Sequence, residues 1–198
     1  MKVHRWFLIP SIAFFSVLCF PFLLLADENL PAIVKKIEPS VVVITTYDKE
    51  GKILGQGSGF FISENGDVIT NRHVLEGANQ AYVKTAAGKI YSIKTILAED
   101  EDADLIRVSI EFPAIQIKEG WVISTSISTS IPRVGERVIV VGAPLGLEKT
   151  VSDGIVSAVR EIPGFGNILQ ISAPISQGSS GSPVVNMKGQ VIGVATFL

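Results

Sequence analysis

A chain of 198 residues, 47% hydrophobic and 18% charged, has enough apolar side chains for one domain, or two small joined ones, around a packed core. Its formal net charge is −2 and no Lys/Arg cluster stands out in the body of the chain, so we expect no nucleic acid among its partners. Beyond the N-terminal segment the sequence has one histidine and no cysteine, which predicts no metal site, no disulfide and no cofactor.

Residues 1–26 have the pattern of a targeting segment. The basic residues Lys2, His4 and Arg5 precede an uncharged apolar stretch at residues 6–25, and Ala26 follows it. We therefore predict an exported protein. Cleavage of residues 1–26 as a signal peptide is the preferred interpretation, and the alternative is an uncleaved membrane anchor through residues 6–25.

The chain after residue 26 predicts one short helix and then strands almost throughout. Residues 27–38 place Leu30, Ile33, Val34 and Ile37 at helical spacing, which predicts an amphipathic helix that packs on the body of the protein. Short apolar runs separated by turn residues follow, and this pattern is typical of an all-β sandwich or of β-barrels. We predict a first β unit at residues 39–112, a connection at 113–132 and a second β unit at 133–198.

A glycine- and serine-rich loop at residues 177–183 interrupts the second unit. The sequence Gln-Gly-Ser-Ser-Gly-Ser-Pro there fits two interpretations. One is a tight turn between strands, because glycine and serine supply permissive backbone and local hydrogen bonds. The other is a nucleophile loop, in which Ser180 reacts and backbone N–H groups stabilise the oxyanion that develops.

A base and an orienting acid for Ser180 are present in the sequence. His73, the single histidine after residue 26, follows a short predicted strand. Asp104 is the last acid before the next apolar strand, with Asp100 and Asp102 as competitors for the same role. The order His, Asp, Ser along the chain is that of the chymotrypsin arrangement and differs from the order in subtilisin and the α/β-hydrolases.

Several sequence blocks resemble the HtrA/Deg family of trypsin-like serine proteases. The resemblance extends over residues 39–198 and is carried by residues 57–62 (GSGFFI), 67–78 (DVITNRHVLEGA), 103–105 (ADL), 142–147 (GAPLGL), 151–158 (VSDGIVSA) and 178–193. It implies two perpendicular six-stranded antiparallel β-barrels with the active site at their interface. It further implies an endopeptidase that cleaves unfolded or damaged proteins in the cell envelope, and a homotrimer as the assembly common in the family.

The resemblance also implies a role for each site residue. His73 would be the general base and then general acid, Asp104 would orient its ring, and Ser180 would be the nucleophile. The backbone N–H groups of Gly178 and Ser180, with Ser179 between them, would form the oxyanion hole. Ile175 would line the primary specificity pocket and favour small aliphatic side chains.

The sequence departs from the family pattern in the serine loop and at the C-terminus. Ser179 replaces the usual Asn, and Ser182 replaces a Gly, which would be strained if that position needs a positive φ. The sequence ends at Leu198, where the family continues through at least one more strand, so we expect an incomplete second barrel and favour a fragment. The alternative function is a catalytically weak or inactive protein of this fold that binds unfolded polypeptide as a chaperone or adaptor.

Overall fold

The computed structural model describes residues 29–111, 124–142, 150–163 and 166–197. Strands dominate this part of the chain, as the run of β-branched residues predicts. The elements in chain order are α1 (Leu30–Ile37), a 3-10 turn (Glu38–Ser40), β1 (Val41–Tyr47), β2 (Ile53–Phe61), β3 (Asp67–Asn71), α2 (Arg72–Leu75), β4 (Gln80–Lys84), β5 (Ile90–Asp100), β6 (Leu105–Ile110), β7 (Ser126–Ile127), β8 (Arg137–Gly142), β9 (Thr150–Ile162), β10 (Gly166–Ile171), β11 (Pro183–Asn186) and β12 (Gln190–Val194).

The first six strands form a closed antiparallel barrel in the order β1-β2-β3-β6-β5-β4. Strand β1 closes it by pairing with β2 on one side and β4 on the other, so that Ile44 lies opposite both Gly57 and Val83. Alternate residues of β1 and β6 point inward and are buried, which gives the barrel a core of aliphatic side chains and one phenylalanine. The first predicted β unit is therefore a barrel rather than a sandwich.

The other six strands form a second sheet in the order β10-β9-β8-β11-β12-β7. All neighbours in this sheet are antiparallel except β7, which pairs in parallel with β12 through only two residues. The described strands leave this sheet open, with β10 and β7 at its edges. The predicted fold class, two six-stranded β units of which the second is an incomplete barrel, is confirmed.

A shared apolar cluster joins the barrel to the second sheet. Val41 and Phe60 contribute to it from the first barrel, and Val141 and Val185 contribute from the second sheet. Phe60 is 1% exposed, so its ring is removed from water at the junction of the two units. Because this cluster fixes one unit against the other, residues carried by different sheets keep a constant separation.

Helix α1 covers this shared cluster from outside. Its apolar residues Leu30, Ile33, Val34 and Ile37 all pack against the cluster, which confirms the predicted amphipathic helix. Asn29 caps its first turn by accepting a hydrogen bond from the N–H of Ala32. None of the helices within the described ranges is long and apolar enough to cross a membrane. The predicted signal or anchor at residues 1–26 lies outside the described residues.

We expect Phe60→Ala to lower the free energy of unfolding by about 3–5 kcal/mol, because it removes a buried ring and leaves a cavity between the two units. Ile53→Ala is the matched control on the same strand, since Ile53 is 61% exposed and its truncation should change stability by less than about 0.5 kcal/mol. Chemical denaturation of both variants measures the difference. Equal stability of the two variants would contradict the shared cluster.

Candidate active site

His73 and Asp104 are brought together by the pairing of β3 with β6. Asn71, the last residue of β3, lies opposite Leu105, the first residue of β6. His73 follows in the short helix α2, while Asp104 immediately precedes β6, so both side chains emerge from the same end of the barrel. Sequence reasoning placed His73 just past a strand and did not predict the helical turn.

The carboxylate of Asp104 makes two hydrogen bonds to His73. Its Oδ1 accepts from the backbone N–H of His73 at 2.9 Å, and its Oδ2 lies 2.6 Å from the ring atom Nδ1. A carboxylate at this distance favours the tautomer that carries its proton on Nδ1, which leaves Nε2 as an acceptor. The His73 ring is therefore held in the orientation and tautomer that a general base requires.

Asp104 has a backbone conformation that needs external support. Its φ of 53° is the only positive φ at a non-glycine residue in the described ranges, and aspartate is one of the few residues that tolerate this region. Its carbonyl oxygen accepts from the N–H of Arg72 and from Nδ2 of Asn71, each at 3.0 Å. These contacts on the carbonyl, together with those on the carboxylate, hold Asp104 in place against that strain.

The two competing acids take other roles. Asp100 is exposed and its Oδ1 accepts from the backbone N–H of Ala103, which caps the turn between β5 and β6. Asp102 is also exposed in that turn. Of the three acids, Asp104 is the one that contacts His73.

Local hydrogen bonds shape the loop that carries Ser180 into a compact turn. The N–H of Ser179 donates to the carbonyl of Ser176 at 2.8 Å, while the hydroxyl oxygen of Ser179 accepts from the N–H of Ser176 at 3.1 Å. The N–H of Ser182 then donates to the carbonyl of Ser179. Ser179 thus uses its side chain as well as its backbone, whereas the sequence alone suggested a backbone role.

The backbone N–H groups of Gly178 and Ser180 have no acceptor within the described residues, and the same is true of the exposed residue Gln177. Gly178 and Ser180 are buried, and the sequence predicts that their N–H groups form an oxyanion hole. The N–H of Ser179 between them is already bonded to Ser176, so it is not available to a ligand. Gly178 has a φ of 88°, a conformation that glycine adopts without steric cost.

The loop lies directly against β2 of the first barrel. The N–H of Ser58 donates to the carbonyl of Ser180 at 2.8 Å, which ties the loop to the barrel. Gly181 has a φ of 86°, and a Cβ added there would lie 1.9 Å from the carbonyl oxygen of Ser58. Glycine is therefore required at residue 181 both by its backbone conformation and by the close approach of β2.

The Ser180 hydroxyl is hydrogen-bonded to the backbone of Phe197 and not to the imidazole of His73. Its Oγ accepts from the N–H of Phe197 at 3.1 Å and lies 3.5 Å from the carbonyl of the same residue. His73 and Ser180 share no hydrogen bond in the described part of the chain. The His–Asp contact of the predicted triad is therefore formed, and the Ser–His contact is not.

A side-chain contact nevertheless links the His73–Asp104 pair to the segment beside Ser180. Nδ2 of Asn71, which bonds the carbonyl of Asp104, also donates to Oγ1 of Thr196 at 3.0 Å. Thr196 directly precedes the residue that bonds Ser180. The sequence did not predict the roles of Asn71 and Thr196. Asn71 lies two residues before His73, and this proximity could have marked Asn71 as a candidate site residue.

Ile175 lies in the segment between β10 and β11, two residues before the nucleophile loop. It is partly buried and packs against a cluster that contains Ala173, Val184 and Ala195. An apolar side chain is thus present where the resemblance places a wall of the specificity pocket.

Ser182 avoids the backbone strain that the sequence raised as a concern. Its φ is not positive, so serine in place of the family's glycine causes no backbone strain at this residue. The side chain is fully buried, and its hydroxyl has no hydrogen-bond partner among the described residues. A Cβ added to Gly142 would lie 2.6 Å from Ser182 Oγ, so glycine at residue 142 makes room for the extra hydroxyl.

No group of three or more His, Cys, Asp or Glu side chains within the described ranges is arranged to hold a metal ion. The candidate chemistry is carried by His73, Asp104 and the Ser180 loop. The imidazole of His73 is oriented by a carboxylate, and the loop of Ser180 has N–H groups at Gly178 and Ser180 without an acceptor among the described residues.

The fold and this arrangement define a trypsin-like peptidase, and comparison with known proteins agrees. The family described as "Trypsin-like peptidase domain" matches residues 57–194, and the chain belongs to this family. Within it, the chain is similar to HtrA and DegP proteases, which confirms the resemblance found in the sequence.

Three relatives illustrate this similarity. The serine protease HTRA1A of Danio rerio is 36% identical over 83% of this chain and 36% of the relative. A probable periplasmic serine endoprotease, DegP-like, of Buchnera aphidicola is 32% identical over 83% of this chain and 35% of the relative. The crystal structure of the serine endoprotease from Yersinia pestis superposes with a TM-score of 0.70 at 31% identity, covering 83% of this chain and 56% of that one. The chain spans about a third of the length of the two curated relatives.

Replacing Asp104 tests its backbone conformation together with its hydrogen bond to the His73 N–H. We expect Asp104→Ala to be less stable than Asp104→Asn by about 1–2 kcal/mol, because alanine has the left-handed penalty that asparagine largely avoids and also lacks the oxygen that accepts from the His73 N–H. Thermal or chemical denaturation measures the difference. If alanine were as stable as asparagine, the positive φ of Asp104 would not be a constraint on the fold.

Gly142 and Ser182 should be energetically coupled. We expect Gly142→Ala to destabilise the protein by about 1–3 kcal/mol, because its new Cβ overlaps the Ser182 hydroxyl. In the Ser182→Ala background that hydroxyl is gone, so the same substitution should cost much less. A double-mutant cycle by chemical denaturation gives the coupling, and strictly additive effects would show that the two residues do not share this space.

Proposed function

We propose that this chain is the protease domain of a serine endopeptidase that cleaves unfolded or damaged proteins in the cell envelope. The observation that carries the proposal is the 2.6 Å contact between Asp104 Oδ2 and His73 Nδ1. The serine loop adds to it the Gly178 and Ser180 N–H groups, which have no acceptor among the described residues. The family membership and the named relatives support the same reaction class.

In the proposed mechanism Ser180 Oγ attacks the carbonyl carbon of the scissile peptide bond. His73 Nε2 takes the proton from the hydroxyl and later gives it to the leaving amine. An acyl-enzyme ester forms on Ser180, and water activated by the same imidazole hydrolyses it. Asp104 stabilises the imidazolium through Nδ1 and does not itself take the proton.

The oxyanion of each tetrahedral intermediate would be bound by the N–H groups of Gly178 and Ser180. Such preorganised donors contribute about 10²–10³ in rate each, because they cost no reorganisation when the negative charge develops. Attack also requires Ser180 Oγ to exchange its bonds with Phe197 for one with His73.

The substrates and assembly belong to the proposal as well. We infer that unfolded polypeptide is the substrate, that Ile175 helps to select small aliphatic side chains, and that the periplasm is the compartment, as named for the DegP-like relatives. A homotrimer and a membrane tether through residues 6–25 follow from the family resemblance and from the apolar N-terminal segment. Light scattering of the purified protein and membrane fractionation measure these two features.

A second candidate function is polypeptide binding without efficient cleavage, as in a chaperone or adaptor. The observation that favours it is that the Ser180 hydroxyl bonds to Phe197 and makes no hydrogen bond to His73. The His73–Asp104 contact favours the protease, since it orients an imidazole for proton transfer and polypeptide binding alone does not require such an imidazole.

A fluorophosphonate probe combined with casein digestion distinguishes the two functions. We expect the protein to be labelled and to degrade casein, and we expect Ser180→Ala to abolish both while changing stability by less than about 0.5–1 kcal/mol. Ser176→Ala is the control, because it removes a nearby hydroxyl of the same loop and keeps the nucleophile. An unlabelled protein that prevents aggregation of unfolded casein would instead establish the binding function.

A further inference from the structure

Ser58 reaches from the first barrel to the nucleophile loop of the second unit. Its hydroxyl donates a hydrogen bond of 2.8 Å to the carbonyl oxygen of Gly178, across 120 residues of sequence. Ser58 is fully buried, so water does not compete for this bond. The backbone N–H of the same residue separately bonds the carbonyl of Ser180.

The hydroxyl of Ser58 fixes one end of a single peptide group. The peptide between Gly178 and Ser179 has its carbonyl bonded to Ser58 and its N–H bonded to the carbonyl of Ser176. Both polar ends of this peptide are thereby satisfied in one orientation. The N–H of Gly178 belongs to the preceding peptide, and it is left with no acceptor in the described residues.

Without an external anchor this part of the loop would be mobile. Gly178 lacks a Cβ and has a φ of 88°, so several backbone conformations are open to it at low cost. The Gly178–Ser179 peptide connects the two donors, so a rotation about its flanking bonds that is not compensated would move the N–H of Gly178 relative to that of Ser180. An oxyanion hole needs both donors aimed at one point before the reaction begins.

We propose that Ser58 is a positioning residue for the oxyanion hole. Its hydroxyl holds the carbonyl of Gly178 and so keeps the N–H groups of Gly178 and Ser180 directed at the same oxygen atom. Ser58 does not touch the substrate and acts only through the loop. The inference rests on the proposed serine endopeptidase function. It adds that the Ser58 hydroxyl of the first barrel positions the oxyanion hole of the second unit.

The side chain and the backbone of Ser58 can be separated by substitution. Ser58→Ala removes the hydroxyl and retains the N–H that holds Ser180. Thr and Val at this position form a matched pair, since both add the same bulk and only Thr carries a hydroxyl. Denaturation of each purified variant first establishes that it is folded.

We expect Ser58→Ala to lower kcat about threefold to tenfold with little change in KM. A loss of this size is expected for one hydrogen bond whose effect is felt mainly in the transition state. Inhibition by a peptide aldehyde, whose hemiacetal oxygen would occupy the hole, should weaken by a similar factor. Binding of a substrate peptide should be the same for Ser180→Ala and for the Ser58→Ala, Ser180→Ala double variant. Ser58→Thr should be more active than Ser58→Val.

Equal kcat and equal aldehyde inhibition for Ser58→Ala and the unsubstituted protein would overturn the inference. So would equal activities of folded Thr and Val variants, because the effect would then come from packing and not from the hydroxyl. The proposed function is tested separately by fluorophosphonate labelling of the unsubstituted protein. If that labelling does not depend on Ser180, the proposed function fails before Ser58 is considered.

Discussion

The close contact between β2 and the Ser180 loop is the constraint on which the site depends. The loop approaches the barrel so closely that the carbonyl of Ser58 occupies the space where a side chain at Gly181 would lie. On the same strand, the Phe60 ring anchors the shared apolar cluster. One strand therefore both fixes the two units together and supports the loop, so the accuracy of the site follows from the packing of the fold.

The described part of the fold and the identity of the candidate site residues could be predicted from the sequence because they depend on local signals. Strands β1, β6 and β8 are β-branched runs bounded by turn residues, and α1 has a clear helical period. His73 had no rival histidine after residue 26, which left the base of the site unambiguous. The position of Asp104 next to a strand favoured it over Asp100 and Asp102, and the family resemblance of residues 103–105 made the assignment.

What could not be predicted comes from contacts between residues distant in sequence. The link from Asn71 to Thr196 spans 125 residues, and the bond from Ser58 to Gly178 spans 120. Neither pair has a spacing or a local sequence pattern from which the contact could be predicted. Whether serine at residue 182 would be strained could not be decided from the sequence for the same reason, since the φ of Ser182 and its contact with Gly142 depend on packing.

The long sequence separation within the shared cluster has a consequence for folding. The first barrel uses only contacts between residues 41 and 110, whereas the cluster also needs residues 139–191. Contacts between distant residues form late because their loop-closure entropy must be paid first, and domains fold from the N-terminus during synthesis. We therefore expect the His73–Asp104 contact to form before the Ser180 loop docks. Since the proposed catalytic groups are divided between the two units, we expect a nascent chain to be inactive until its second unit has folded onto the first.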